Sequence, residues 1–175
     1  MIAHGVVVDG FTPPTGPARP LAARFSSAKG DWATPQDLFD RLSRVYGPFD
    51  LDVCASKDNH KCSAYFDLEA DGLSKAWAQR MCWMNPPYGR GIGDWMRKAG
   101  QEAYIGATVV CLVPARTDTK WFHTWVVPFA TEIVFLPGRV KFGGAATGAP
   151  FPSAVVVYRP GRAPGQPVVR WGLPC

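Results

Sequence analysis

The sequence predicts an α/β fold in which helices cover both faces of a mostly parallel sheet, three layers in all, with an antiparallel edge strand. Two observations predict it. Short apolar runs alternate with segments whose apolar residues recur at helical spacing. The later runs are joined as a hairpin-like pair, which adds antiparallel pairing at one edge. A chain of 175 residues with 47% hydrophobic content suffices for one such domain and is short for two.

The first part of the chain predicts an arm followed by a helix. Residues 1–28 are rich in proline without sustained periodicity, and we expect a flexible N-terminal arm. Thr34 is expected as the N-cap of the first helix and Pro35 as its first residue, because both types are favoured there. The apolar stripe of this helix consists of Leu38, Leu42 and Val45, and Gly47-Pro48 ends it.

The middle of the chain alternates strands and helices. The expected elements are strands at Phe49–Cys54, Met81–Met84 and 107–113, and helices around Ile92–Ala99 and from about Asp118 to Val127. The last three expected strands are Glu132–Leu136, Val140–Phe142 and Ser153–Tyr158, with a Pro137-Gly138 turn after the first of them. The domain then covers 29–161, and 162–175 form a C-terminal tail.

Charge and cysteine content narrow the class of protein. The net charge of +5 favours a polyanionic partner, and nucleic acid is the expected one. The five cysteines include no Cys-x-x-Cys pair, so neither a disulfide framework nor a zinc ribbon is indicated, and no metal is expected. No apolar run is long enough to cross a bilayer, and the first ten residues lack a signal-peptide pattern. We therefore expect a cytoplasmic protein with no membrane partner.

The tetrapeptide Asn85-Pro86-Pro87-Tyr88 follows the expected strand at Met81–Met84 directly. Open α/β sheets place their active sites where such strands end. The two prolines hold the backbone rigid, so that the Asn85 amide oxygen and the Pro86 carbonyl can point the same way. Two fixed acceptors suit an amino group with two N–H bonds and free its lone pair for attack. Tyr88 can supply a stacking face for the ring that carries this amine.

The tetrapeptide resembles the motif of amino-group methyltransferases, whose first position is Asp, Asn or Ser and whose last is aromatic. The other interpretation is an Asn-Pro turn without chemistry. A methyltransferase must also hold its donor, and Asp52 lies near the end of a strand where a carboxylate can meet an ammonium group. The glycine-rich turn that usually marks nucleotide binding is absent.

A wider resemblance extends from Asp31 to about Pro160. Its motifs are Trp32-Ala33-Thr34-Pro35-Gln36, Phe49 to Ser56, Asn59, Lys61-Cys62, Tyr65-Phe66, Asp71-Gly72-Leu73, Trp77, the tetrapeptide, and Gly138 to Phe142. In order and spacing the chain is similar to the phage-type DNA N-6-adenine-methyltransferase (Dam) family. The resemblance implies a Rossmann-like methyltransferase fold, S-adenosylmethionine as donor and DNA adenine as acceptor. It also implies that Thr34, Pro35, Asp52 and Asp71 surround the donor.

Several of these residues have structural alternatives. Thr34-Pro35 can be a helix cap only, and Asp71-Gly72 a turn only. Phe142 can flank the acceptor base or belong to the core. Arg116 and Arg139 lie near the ends of later elements, where the loops of the sheet can converge on DNA, but they can also be solvated or paired with Asp94 or Asp118.

Two competing functions stay open, methylation of another amine and nucleic-acid binding without catalysis. Cytosine, RNA adenine and a protein glutamine amide are other planar amines that the same chemistry can methylate. The enzymes that methylate glutamine normally retain the glycine-rich turn. The other hypothesis is a nucleic-acid-binding protein that has the same fold but no catalytic activity. The absence of the glycine-rich turn keeps this hypothesis open.

Overall fold

The computed structural model describes residues 32–162 and 164–174, and the expected arm at 1–28 lies outside them. The helices are α1 (Gln36–Tyr46) and α2 (Ile92–Tyr104). The strands are β1 (Leu51–Asp52), β2 (Met81–Met84), β3 (Thr108–Pro114), β4 (Glu132–Phe135), β5 (Ser153–Tyr158) and β6 (Val168–Trp171). The predictions of β2, α2 and β5 are confirmed, because each has a run or stripe of apolar residues that is buried here.

The six strands form one mixed sheet in the order β1-β2-β3-β5-β4-β6. The pairs β1–β2, β2–β3 and β4–β6 are parallel, whereas β5 is antiparallel to both β3 and β4. The expectation of an antiparallel edge strand is wrong, because β5 lies inside the sheet. All six of its residues are buried, and this continuous apolar run fits a strand covered on both faces.

Helix α1 packs against the face of the sheet that carries Trp83 and Glu132. The Phe39 ring meets the Trp83 ring edge-on at 5.4 Å, and the Tyr46 hydroxyl donates to Glu132 Oε1 at 3.2 Å. Burial beside this carboxylate raises the pKa of Tyr46 to about 12. Helix α2 lies against β3 and β5, where the Gly100 backbone approaches the Tyr158 ring.

The start of α1 differs from the prediction. Pro35, not Thr34, occupies the N-cap position, and no side chain caps the helix. The Thr34 hydroxyl instead accepts a hydrogen bond from Asn85 Nδ2 at 3.1 Å. The Thr34 hydroxyl therefore binds Asn85 of the tetrapeptide and does not serve as the helix cap that the sequence predicted.

Three other expected elements also differ. Strand β1 has two residues, although backbone bonds from Asp50 to Met81 and from Val53 to Trp83 continue its pairing with β2. The helix expected at Asp118–Val127 is reduced to a π-helical turn, Phe122–Val126. The prediction of a strand at Val140–Phe142 is wrong. Phe142–Gly144 form a 3-10 turn, in which Gly143 and Gly144 adopt φ values of 57° and 73°. Such positive φ values suit glycine and interrupt a strand.

Strand β6 comes from the segment that the sequence analysis placed in the C-terminal tail. It pairs with β4, and its four residues are exposed. Arg170 pairs with Glu132 at 2.6 Å, and the Trp171 ring stacks on Phe135 at 5.0 Å. Its hydrophobic residues give no alternating buried pattern, which explains why periodicity did not reveal it.

Candidate active site

The tetrapeptide lies at the carboxyl edge of the sheet. Met84 is the last residue of β2, which lies between β1 and β3, so Asn85 leaves the sheet beside the end of β1 and the last residues of β3, where Met84 is opposite Cys111. Pro86 is buried and Pro87 half-buried. Two prolines fix φ and leave no N–H to extend the pairing, so the strand stops here and the backbone after Asn85 is rigid.

The Asn85 amide is held at both of its ends. Its Nδ2 donates to the Trp32 carbonyl at 2.6 Å and to Thr34 Oγ1 at 3.1 Å. Its Oδ1 accepts the Tyr88 hydroxyl at 2.7 Å. Because both N–H bonds are directed at the segment before α1, the orientation of the amide is set and its oxygen faces the tetrapeptide. An amide oxygen has two lone pairs, so Oδ1 retains one acceptor position.

Tyr88 is a buried, neutral phenol. Its hydroxyl also lies 3.2 Å from the Leu112 carbonyl on β3, and the side chain is 7% exposed. Burial raises the pKa of Tyr88 well above its usual range. Tyr88 therefore donates a hydrogen bond at neutral pH and cannot serve as a base.

Tyr88 belongs to a cluster of four aromatic rings, the other three being Trp32, Phe142 and Phe151. Trp32 lies nearly parallel to Tyr88, with centroids 6.2 Å apart and an interplanar angle of 22°. Phe142 and Phe151 meet Tyr88 edge-on at 5.9 and 5.5 Å. Phe142 is 4% exposed, so it is a buried residue that also forms a wall of the Tyr88 site.

Asp52 lies beside the tetrapeptide at the end of β1. It is opposite Trp83 of β2 and is 3% exposed. Its carboxylate oxygens accept the backbone N–H groups of Cys54 at 3.2 Å and Lys61 at 2.9 Å. Burial raises the pKa of Asp52 to about 6, although both N–H groups oppose the rise. The carboxylate therefore anchors the loop after β1 and stays mostly ionised at neutral pH.

Asp71 is brought to the same strand end by its neighbour Gly72. A Cβ on Gly72 would lie 2.1 Å from the Val53 carbonyl oxygen, which only glycine permits. Asp71 itself has a φ of 50° and precedes the 3-10 turn Gly72–Ser74. The structure thus brings Thr34, Asn85 and Tyr88 into direct contact, and it places Asp52 and Asp71 at the adjacent end of β1.

The two predicted DNA-binding arginines are exposed in loops. Arg116 is exposed in the loop after β3, and Arg139 is exposed in the loop after β4. Neither side chain has a hydrogen-bond or ion-pair partner among residues 32–162 and 164–174. Asp94 instead lies 4.0 Å from Arg97. The alternative in which Asp94 pairs with Arg116 or Arg139 is therefore not observed.

Sequence reasoning did not single out Phe151, which carried no signal beyond its apolar character. Trp32 is of a residue type that usually packs in a core or a pocket wall, and it forms a wall of this site. Among the described residues, no His, Cys, Asp and Glu side chains gather in a group suited to a metal ion. Over the same part of the chain, no helix is long and apolar enough to cross a membrane.

The chain has the features of the amino-group methyltransferases. The second strand of its mixed sheet ends at Asn-Pro-Pro-Tyr, the amide is oriented, and an aromatic ring lies beside it. Comparison with known sequences gives the family. The profile described as DNA N-6-adenine-methyltransferase (Dam) matches residues 23–165, and the chain belongs to this family.

Individual relatives agree with this assignment. A DNA N-6-adenine-methyltransferase of Haemophilus phage HP1 is 36% identical over 124 residues, which cover 70% of this chain and 71% of that protein. Another, from Escherichia phage T1, is 32% identical over 60% of this chain and 44% of its own length. Among solved structures, a modification subunit assigned to a type I restriction enzyme of Vibrio vulnificus YJ016 shares 13% identity, with a TM-score of 0.43 over 79% of this chain and 46% of that chain. The family assignment rests on the sequence matches.

Proposed function

We propose that the chain is a site-specific DNA adenine methyltransferase, which transfers a methyl group from S-adenosylmethionine to the exocyclic amine of adenine. The observation that carries the proposal is the orientation of Asn85. Its two N–H bonds are directed at Trp32 and Thr34, so its oxygen is left as a positioned acceptor at the end of β2. Membership of the Dam family identifies adenine in DNA as the substrate.

The acceptor base has to leave the duplex to reach Asn85, at an unstacking cost of about a few kcal/mol. Stacking on Tyr88 and hydrogen bonds from the amine to Asn85 Oδ1 and the Pro86 carbonyl offset this cost. Asn85 Oδ1 and the Pro86 carbonyl would hold the exocyclic nitrogen so that its lone pair is free for the donor's methyl group, and the proton of the amine would pass to solvent. No general base is needed, so the enzyme acts through positioning and electrostatics.

The donor is assigned to the segment before α1 and the end of β1. When bound, S-adenosylmethionine supplies an electrophilic methyl group on a sulfonium. Thr34 and Pro35 would border its methionine part, Asp52 its ammonium group and Asp71 its adenosine. The chemistry of Asp52 fits, because a buried carboxylate that accepts two N–H bonds keeps lone pairs for a cation. An ammonium partner would also stabilise the ionised carboxylate and so oppose the rise in pKa that burial causes.

The DNA is assigned to the loops beyond the carboxyl ends of the strands. Arg116 and Arg139 are exposed there and would contact the phosphate backbone, while Phe142 would flank the base beside Tyr88. The sheet with α1 and α2 on it would then be a Rossmann-like, three-layer methyltransferase fold. Such a reaction would take place in the cytoplasm of a bacterial or phage-infected cell, where this DNA lies.

The test is incubation with S-adenosylmethionine labelled in its methyl group and with separate duplex DNA, RNA and protein acceptors. The DNA is then digested to nucleosides and the labelled nucleoside identified. We expect label in N6-methyladenine with the parent and a large loss with Asn85→Ala. Gln101→Ala on α2 is the matched control. Label in cytosine, in RNA or in glutamine would overturn the proposal. So would a protein that binds the donor but transfers no label to DNA, RNA or protein.

A further inference from the structure

A basic groove of about 460 Å³ lies beside the candidate active site. It is enclosed by the start of α1, the loop after β4 and the segment after β6. Pro35, Leu38, Leu136, Val140 and Leu173 provide its apolar lining. The charged lining residues are Asp37, Arg41, Arg139 and Lys141.

The groove carries an excess of positive charge. Arg41, Arg139 and Lys141 are exposed, and Asp37 is the acidic residue in the lining. None of these three cations has a hydrogen-bond or ion-pair partner within the described part of the chain. Other arginines do: Arg80 pairs with Asp50 and Arg170 with Glu132. Unpaired cations in a concavity concentrate positive potential and attract anions.

The groove shares its walls with the active site. Pro35 follows Thr34, which contacts Asn85, and Lys141 precedes Phe142, which contacts Tyr88. A backbone bond of 2.8 Å from Gly143 to Ala33 joins these two segments. A ligand in the groove is therefore next to whatever occupies the Tyr88 site.

Arg139 is also positioned by close packing. A Cβ on Gly148 would lie 2.4 Å from the Arg139 Cβ, so the glycine lets the two loops meet. The Ala149 N–H donates to the Val140 carbonyl at 2.9 Å and holds them together. The Arg139 stem therefore starts from a fixed place, which lowers the entropy lost when its guanidinium binds an anion.

We infer that this groove holds a phosphodiester of the DNA strand, next to the nucleotide whose base enters the Tyr88 site. The inference rests on the proposed function. Arg41, Arg139 and Lys141 bind the phosphate oxygens, and the apolar lining takes the deoxyribose. The methyl donor is a poorer occupant, because its sulfonium and ammonium charges outweigh its one carboxylate and its net positive charge would be repelled by the same three side chains.

The test is binding of mixed-sequence duplex DNA as a function of salt, measured by fluorescence anisotropy. We expect Arg41→Gln and Lys141→Gln each to lower the log–log slope by about 0.9. Donor binding, measured by calorimetry, should stay unchanged. Arg159→Gln is the matched control, because Arg159 is exposed and follows β5. Since β5 is antiparallel to β3, Arg159 lies at the amino ends of the parallel strands, away from the groove.

Slopes equal to the parent in both groove variants would overturn the inference. A loss of affinity for inorganic phosphate or RNA without a loss for DNA would also overturn it. The proposed function fails separately, when the parent transfers no label to DNA. If the parent methylates DNA and the groove variants bind DNA as the parent does, the inference about the groove is refuted and the proposed function is not.

A second inference comes from the aromatic cluster. The Trp32 indole lies nearly parallel to the Tyr88 ring, with centroids 6.2 Å apart, and meets Phe142 and Phe151 edge-on at 5.4 and 5.0 Å. Its carbonyl accepts a hydrogen bond from Asn85 Nδ2 at 2.6 Å. A planar ring thus already lies against the stacking face that the proposed function assigns to adenine.

The geometry points to Trp32 as the residue that the target adenine displaces from Tyr88. This inference also rests on the proposed function. Trp32 and Phe151 are half-buried, whereas Tyr88 and Phe142 are buried. Of the two half-buried rings, Trp32 is the one that lies nearly parallel to Tyr88, whereas Phe151 meets Tyr88 edge-on. Movement of Trp32 would leave the Tyr88 ring and its edge-on neighbours as the walls of the base site.

The test uses protein labelled with 5-fluorotryptophan, in which Trp32→Phe assigns the Trp32 fluorine resonance. Saturating DNA together with S-adenosylhomocysteine should move this resonance towards the value of an exposed indole. Trp171, which is 83% exposed on β6, is the internal reference and should not change. An unchanged Trp32 resonance at DNA saturation would overturn the inference. Loss of methyl transfer to DNA in the labelled parent would instead count against the proposed function.

Discussion

The Tyr88 hydroxyl donates a hydrogen bond of 2.7 Å to Asn85 Oδ1, so the first and last residues of the tetrapeptide are joined to each other. The two intervening prolines make this contact possible, because they fix the turn of the chain. The amide that acts on the acceptor amine and the ring that stacks on the base are therefore one rigid unit. Changes at either residue should affect the other.

Replacing Asn85 with alanine should abolish most turnover while donor binding survives. The loss of an acceptor used in the transition state, about 3 kcal/mol, lowers kcat about a hundredfold. Asn85→Asp separates the two roles of the amide. It keeps an acceptor oxygen, but it places a carboxylate against the Trp32 carbonyl, so we expect more activity than in Asn85→Ala and lower stability. Turnover close to the parent in folded Asn85→Ala would show that the amide is not catalytic.

Replacing Tyr88 with phenylalanine tests the hydroxyl separately from the ring. The change removes the bonds to Asn85 Oδ1 and the Leu112 carbonyl, and we expect about 1 to 2 kcal/mol of lost stability in urea unfolding. Methyl transfer should fall less than in Tyr88→Ala, because the stacking face remains. Equal activity in the two variants would mean that stacking on this ring does not contribute.

Asp52 provides a prediction about donor binding and pH. Asp52→Ala should weaken S-adenosylmethionine binding more than DNA binding in titration calorimetry. Because the folded-state pKa is about 6, the parent should also bind donor more weakly as pH falls through this value. Equal donor affinity in mutant and parent, or no pH dependence between pH values of about 5 and 7, would leave Asp52 with a structural role.

The same carboxyl makes stability depend on pH. Its pKa is raised on folding from 3.8 to about 6, so the folded state holds the proton where the unfolded state has lost it. The contribution of Asp52 therefore becomes less favourable as pH rises between these values, by about 3 kcal/mol at most. Asp52→Asn, which has no proton to lose, should reduce this decline in urea unfolding. A parallel decline in parent and variant would assign it to other groups.

Gly72→Ala tests the close contact that places Asp71. A Cβ would lie 2.1 Å from the Val53 carbonyl oxygen, which is backbone and cannot move aside. We expect a loss of about 3 kcal/mol or more and weaker donor binding, because the end of β1 must shift. Gly100→Ala is the matched control, since its Cβ would make ordinary contacts at 3.8 Å in a helix. This control should be neutral or stabilised by up to about 1 kcal/mol. Equal stability of both variants would disprove the contact.

The sequence by itself determined those features that depend on neighbours along the chain. The apolar run at Met81–Met84, the stripe of α2 and the two prolines after Asn85 specify a strand, a helix and a stop locally, and the structure contains all three. The strand-end position of the tetrapeptide follows from them. Membership of the Dam family was also readable, because its motifs keep their order and spacing.

Tertiary structure alone decided how distant segments meet. Asn85 is bound by residues 53 and 51 positions away in sequence, and the Thr34 hydroxyl serves this bond and not a helix cap. Strand β5 lies between β3 and β4, and β6 joins an edge without any burial pattern of its own. Such pairings are set by the summed burial and hydrogen bonding of whole elements, which local propensity and periodicity do not contain.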